Sequence, residues 1–183
     1  MRIKGTKLPG VRLIDPAVFG DDRGFFMEAY NSKIFLEHGY DITFVQDNHS
    51  LSTEAGVLRG LHYQLEPKAQ TKLVRVAAGA IYDVVVDIRK GSPTYGQWQG
   101  FILSASNKRQ LLVPKGFAHG FCTIVPNTEV LYKVDELYSP EDERGIAWDD
   151  PALSIDWPTL KPILSDKDAE NLNLAETEAN FIY

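Results

Sequence analysis

The chain has 183 residues, 44% of them hydrophobic, a single cysteine and a formal net charge of −6 at pH 7. That length suits one domain, residues 1–183, with a sizeable core, and the negative charge argues against a protein that works by neutralising a nucleic-acid backbone. Cys122, alone between Phe121 and Thr123, permits neither an intrachain disulfide nor a thiolate metal cluster, and no apolar run follows the basic residues 1–10, so neither a signal peptide nor a membrane span is read there and a cytoplasmic protein is expected.

Ten prolines and fourteen glycines, spread along the chain, cut it into short elements. Most apolar segments are rich in Val, Ile, Leu and aromatic residues and are bounded by Gly, Pro, Asn or Asp. Strands are predicted at residues 24–30, 43–49, 57–63, 72–78, 80–89, 97–103, 109–113, 119–124 and 129–134. Residues 80–89 carry the clearest alternation: Tyr82, Val84, Val86 and Ile88 share one face, Asp83, Val85, Asp87 and Arg89 the other. A short helix is predicted over 32–38, with Asn31 as its N-cap and Gly39 as its left-handed stop, and a second helix starts at Asp166. So many short strands with so little helix predict an all-β jelly-roll barrel with short peripheral helices, a fold that encloses a ligand cavity.

Polar residues in phase with apolar strand faces are the informative positions, because an unpaired charge or dipole is costly to bury. His62 lies in Leu58-Arg59-Gly60-Leu61-His62-Tyr63-Gln64 and, in a regular strand, shares a face with Leu58 and Gly60. Lys72 is in phase with Val74 and Val76, His119 with Phe121, and Tyr132 with Val130 and Val134. Taken singly, each has an ordinary structural reading: a hydrogen-bonded histidine, a snorkelling lysine, a core tyrosine. Together, around one cavity, they form a kit for moving protons. Histidine is a base near neutral pH, tyrosine holds a proton to return, and lysine supplies positive charge where an enolate oxygen develops.

The chain resembles the dTDP-4-dehydrorhamnose 3,5-epimerase family over nearly its whole length. The resemblance is carried by Phe19-Gly20-Asp21-Asp22-Arg23-Gly24-Phe25-Phe26, Val45-Gln46-Asp47-Asn48-His49-Ser50, the segment around His62, Pro114-Lys115-Gly116-Phe117-Ala118-His119-Gly120-Phe121, and Leu164-Ser165-Asp166-Lys167-Asp168. It implies a cupin-like fold and a homodimer. The implied substrate is dTDP-4-dehydro-6-deoxyglucose, epimerised at C3 and C5 with no cofactor and no metal. His62 is then the proton acceptor, Asp168 its partner, Tyr132 the proton donor and Lys72 the stabiliser of the enolate. Arg23, Glu28, Gln46, Asn48, Arg59, Lys72, His119, Glu143 and Lys167 are implied to contact the ligand, and Tyr138 to stack on thymine.

Read without the resemblance, Ser165-Asp166-Lys167-Asp168 is a helix capping box, and Asp83 is then the rival orienter of His62. Arg59 points away from His62 in a regular strand, so either a local bulge or service to a neighbouring subunit's site is needed. A metal-dependent cupin is the first alternative function, but the histidines at 38, 49, 62 and 119 include no His-x-His pair. A non-catalytic sugar-nucleotide barrel is the second, and it has no use for His62, Lys72 and Tyr132 together. Relatives acting at C3 or C5 alone are the third.

Overall fold

Alternation along the strands gives each a face for a shared interior and a face for a second layer, and two large antiparallel sheets result. In the computed structural model, which describes residues 1–183, the first sheet runs β1 (Arg2–Gly5), β2 (Arg12–Asp15), β10 (Gln110–Val113), β7 (Lys72–Ala78), β12 (Thr128–Val134), β5 (Gln46–Ser52). The second runs β13 (Glu143–Gly145), β6 (Leu58–Gln64), β11 (Phe117–Thr123), β8 (Ala80–Asp87), β9 (Trp98–Ser104). Face to face they make the expected jelly roll. A separate hairpin pairs β3 (Val18–Asp21) with β4 (Gly24–Met27), and two short helices, α1 (Ser32–Glu37) and α2 (Asp166–Ala169), lie at the periphery. No helix is long and apolar enough to cross a membrane.

The apolar residues sort into layers as a period of two requires. Val74, Val76, Ile81, Val85, Leu111, Val113, Phe117, Phe121 and Val130 fill the interior between the sheets. The other face of the second sheet, with Leu58, Leu61, Tyr63, Val84, Val86 and Ile88, is covered by the C-terminal segment through Ile146, Trp157 and Phe181. On the outer face of the first sheet, Phe35 of α1 packs on Ile14, Leu73 and Leu112. Asn31 caps α1 through its side chain, which accepts from the Ile34 amide. Burying each Val, Leu, Ile or Phe contributes about 1.5–3 kcal/mol, so the barrel rests on many such contributions.

The strand expected over 24–30 stops at Met27, and β1, β2, β3 and β13 were not expected at all. Each spans only three or four residues, too few for alternation to stand out. A second difference bears on function. Between Arg59 and His62, β6 advances three residues while β11 advances two, from Phe121 to His119. This bulge puts Arg59 and His62 on the same, inward side, and Leu58 in the outer layer. The phase expected for His62, alongside Leu58, is therefore wrong by one step, and the bulge removes the conflict over Arg59.

Gly60 sits in the bulge with φ +114°, and a Cβ there would lie 2.7 Å from both the Gly120 Cα and the His119 carbonyl oxygen. Gly60→Ala is expected to lower the unfolding free energy by about 3 kcal/mol in urea titrations. Gly24→Ala, at φ +135° but with open space around it, is expected to cost only about 1 kcal/mol.

Candidate active site

One end of the barrel interior is filled by apolar side chains; the other is a polar cavity with two lobes. The outer lobe, about 200 Å³, is bounded by Gln46, Asn48, Tyr138 and Glu143 among others, and the inner, about 260 Å³, by Ser50, Arg59, His119, Lys167 and Asp168. His62, Lys72 and Tyr132 line both and so stand where the lobes meet. Small-molecule sites have this form, a pocket with a few convergent polar groups.

His62 donates from Nε2 to Asp168 Oδ1 at 2.5 Å, which leaves Nδ1 as its free ring nitrogen. Asp168 comes from outside the barrel, on α2. Ser165 caps that helix, accepting from the Asp168 amide at 3.1 Å, and its hydroxyl donates to Asp168 Oδ2 at 2.9 Å. The capping box is thus real, and it aims the carboxylate rather than competing with that role. Burial pushes the Asp168 pKa up, but the His62 ring, the Ser165 hydroxyl and the Gly60 amide outweigh it and hold the carboxyl below its ordinary value. Asp83 does not reach His62. It accepts from His119 Nε2 at 2.9 and 3.0 Å, so the rival partner for His62 is corrected to a partner for His119.

Lys72 is 9% exposed and donates from Nζ to the His62 carbonyl oxygen at 3.3 Å. Burial lowers its pKa to about 8, against the opposing charges of Glu143 and Asp83. Tyr132 is pushed up, mainly by burial and then by Glu143, so it keeps its proton at neutral pH. Glu143, at the rim on β13, accepts from the Tyr138 hydroxyl at 2.6 Å and is paired with Lys167. Burial raises its pKa, yet Lys167 and Tyr138 prevail and it stays ionised. Gln46 donates to Asn48 Oδ1 at 2.9 Å and accepts from the Tyr138 amide at 3.2 Å.

Eleven of the expected residues therefore border one cavity: His62, Lys72, Tyr132, Asp168, Gln46, Asn48, Arg59, His119, Tyr138, Glu143 and Lys167. Arg23 and Glu28 do not. Arg23 pairs with Asp21 in the β3–β4 hairpin, its side chain 89% exposed, and Glu28 follows that hairpin, accepting from Asn31. Ser50 and Gln64 line the cavity and were not expected. Ser50 is in phase with Gln46 and Asn48, and Gln64 with His62, so strand period held the signal. The buried Ser50 hydroxyl has no hydrogen-bond partner in the protein.

Residues 5–176 match the profile of the dTDP-4-dehydrorhamnose 3,5-epimerase family. The chain is 54% identical to the dTDP-4-dehydrorhamnose 3,5-epimerase of Shigella flexneri, covering 97% of this chain and 98% of that protein. Its fold is similar to that of the Bacillus anthracis dTDP-4-dehydrorhamnose 3,5-epimerase crystallised with TDP and PPi, at a TM-score of 0.91 and 59% identity over 93% of this chain and 97% of that one. It is likewise similar to the Legionella pneumophila dTDP-6-deoxy-D-glucose-3,5-epimerase in complex with dTDP-4-keto-L-rhamnose, at a TM-score of 0.92 and 48% identity over 97% and 94% of the two chains.

The burial of Lys72 has a direct readout. In heteronuclear NMR of lysine-labelled protein, its amine is expected to titrate near pH 8, well below the exposed lysines; a midpoint among theirs would show that the ammonium is solvated.

Proposed function

The chain belongs to the dTDP-4-dehydrorhamnose 3,5-epimerase family, and we propose that in its reaction His62 is the base, oriented by Asp168, while Tyr132 is the acid and Lys72 stabilises the enolate. The enzyme converts dTDP-4-dehydro-6-deoxy-D-glucose to dTDP-4-dehydro-L-rhamnose, inverting C3 and C5, in dTDP-L-rhamnose biosynthesis. The C4 ketone acidifies the hydrogens on both neighbouring carbons, so the same groups can serve each inversion, and the proton balance requires no redox partner.

One observation carries these roles: His62 is on β6 of one sheet, Tyr132 is on β12 of the other, and both border the same space. Epimerisation needs a proton taken from one face of the sugar and one returned to the opposite face. His62 Nδ1 takes the proton as the C–H electrons move into the enolate, and the Lys72 ammonium offsets the charge developing on the C4 oxygen. The Tyr132 hydroxyl then protonates the other face of the carbon. His62 is left protonated and Tyr132 as phenolate, and exchange with water restores both. Asp168, ionised and hydrogen-bonded to Nε2, favours the tautomer with Nδ1 free and steadies the imidazolium once it forms.

Arg59, Lys72 and Lys167 concentrate positive charge at the cavity of a chain whose net charge is −6, which suits a diphosphate. Gln46, Asn48 and Tyr138 line the lobe toward the rim, where the thymine fits with Tyr138 stacked on it. We read the reaction as cytoplasmic, in keeping with the lone buried Cys122 and an activated-sugar substrate.

The working unit we propose is a homodimer. The β3–β4 hairpin exposes Phe19, Phe25 and Phe26 at 64, 57 and 67%, and a two-stranded hairpin is marginal by itself. Packed against a second copy, it would bury those rings and carry Arg23 and Glu28, which are out of reach of their own cavity, toward the neighbour's.

Turnover in deuterated water tests the chemistry. NMR is expected to find solvent label at both C3 and C5 of the product, and Asp168→Asn to slow its entry roughly 10²- to 10⁴-fold. Product without label at either carbon would overturn the proton-transfer assignment. For the dimer, Phe26→Asp is expected to shift sedimentation to the monomer and raise KM; a variant that remains dimeric with an unchanged KM excludes the hairpin as the contact.

A further inference from the structure

The cavity contains a second histidine–carboxylate pair that the mechanism above leaves without a task. His119 on β11 stands directly opposite His62 on β6 in the sheet register and lines the inner lobe with it. Behind it, Asp83 on β8 is 0% exposed, and both its oxygens face His119 Nε2. Asp83 takes the inward phase of Ile81 and Val85, so a carboxyl group sits among core aliphatics.

A comparison within the same strand shows how unusual this is. Asp87 is also buried, but it is tied to Arg89, Ser92 and Thr94, an arrangement that knits a loop to the strand. Asp83 has one side-chain partner, a ring that borders the cavity. Desolvating a carboxylate costs several kcal/mol, and a pair built only for stability would be replaced by packed aliphatic side chains at no loss. The charge of Asp83 also acts on Lys72. The other ionisable groups around that amine are Arg59, His62 and Tyr63 on β6, His119 on β11, Tyr132 on β12, Tyr138 beyond it, Glu143 on β13, and Lys167 and Asp168 on α2. Glu143 and Asp83 both favour the ammonium, Glu143 the more strongly; Glu143 at the rim is also paired with Lys167, and Asp168 is hydrogen-bonded to His62, so Asp83 is the fully buried charge of the set.

We propose that Asp83 is a positioning residue of the epimerisation: it fixes the His119 ring with Nε2–H turned into the sheet and Nδ1 turned to the sugar, and together with Glu143 it supplies the negative charge that keeps Lys72 an ammonium. His119 and Lys72 then hold the oxygen side of the sugar between them, while His62 and Tyr132 handle the carbon-bound protons. The inference rests on the epimerase reading and adds an electrostatic second tier to it.

The sign of the pH effect follows from the charges. Lys72 is charged below about pH 8 and loses its charge as pH rises, so activity falls along an alkaline limb. Tyr132, raised by burial, titrates later. Replacing Asp83 with a neutral isostere removes a negative charge that favours the ammonium, so the limb moves to lower pH.

The test is the pH profile of kcat for Asp83→Asn, with Asp87→Asn as a buried-carboxylate control and solvent deuterium entry at C3 and C5 in the unaltered enzyme measured alongside. Asp83→Asn is expected to move the alkaline limb down by up to about one unit and to lower kcat at pH 8 by up to about fivefold. Asp87→Asn is expected to lose thermal stability without moving the limb. An Asp83→Asn profile that superimposes on that of the unaltered enzyme, or a loss equal at every pH, overturns the proposal. A lack of deuterium entry in the unaltered enzyme would instead overturn the epimerase chemistry. If Asp83→Asn does not fold, nitrogen-15 NMR of histidine-labelled native enzyme decides: neutral His119 is expected to carry its proton on Nε2, with and without dTDP, and a proton on Nδ1 overturns the proposal.

Discussion

The extra residue that β6 carries opposite β11 is the constraint on which the site depends. Side chains along a strand alternate between faces, so a one-residue slip exchanges every inward side chain for an outward one. At Gly60 that slip occurs once, in mid-strand. Leu58 stays in the outer layer against the C-terminal segment, while Arg59 and His62 both turn to the cavity. The strand can approach β11 this closely only because Gly60 meets Gly120 there, neither bringing a Cβ to the contact. A small defect in one ladder thus brings to the cavity both the proposed base and a proposed cation for the diphosphate.

Electrostatic balance around that bulge explains how so many charges share one interior. His62 faces Asp168, His119 faces Asp83, and Glu143 is held between Lys167 and Tyr138. Each carboxylate has a named donor, so none is an unpaired buried charge. Lys72 and Arg59 have no carboxylate partner: Lys72 donates to a backbone carbonyl, Arg59 to the Ser52 hydroxyl and the Leu51 carbonyl. The depressed pKa of Lys72 is the expected result of its burial. The same cavity therefore contains paired carboxylates and two cations, Lys72 and Arg59, that are bound only to neutral groups.

Long-range closure ties the site to the remainder of the chain. The C-terminal segment does two jobs: Trp157 and Phe181 cover the second sheet, and the short helix between them brings Asp168 across to β6. At the other end of the chain, the aromatic hairpin is the one element whose apolar side chains find no layer of their own. In the proposed function, core packing and catalysis are joined at the first place, and subunit assembly and substrate binding at the second.

Much was legible in the residues alone. Period two across residues 72–78, 80–89 and 129–134 revealed the central strands, the shared phase of Lys72 and Tyr132 with their apolar neighbours, and the two faces of 80–89, because those strands are long enough for alternation to show. The capping box at Ser165 was legible too, since it is a purely local pattern. Strands of three or four residues left no such trace. Neither did the bulge, whose extra residue exists only relative to β11, so His62 and Arg59 could not be assigned to one face from β6 alone. Which carboxylate meets which histidine was also beyond local pattern: Asp168 is 106 residues from His62, and Asp83 is 36 from His119. What the sequence by itself determined was the barrel and its cast of polar residues, through interactions of neighbours along the chain. Their pairing and orientation were decided by the tertiary structure, because those contacts depend on how one strand registers against another.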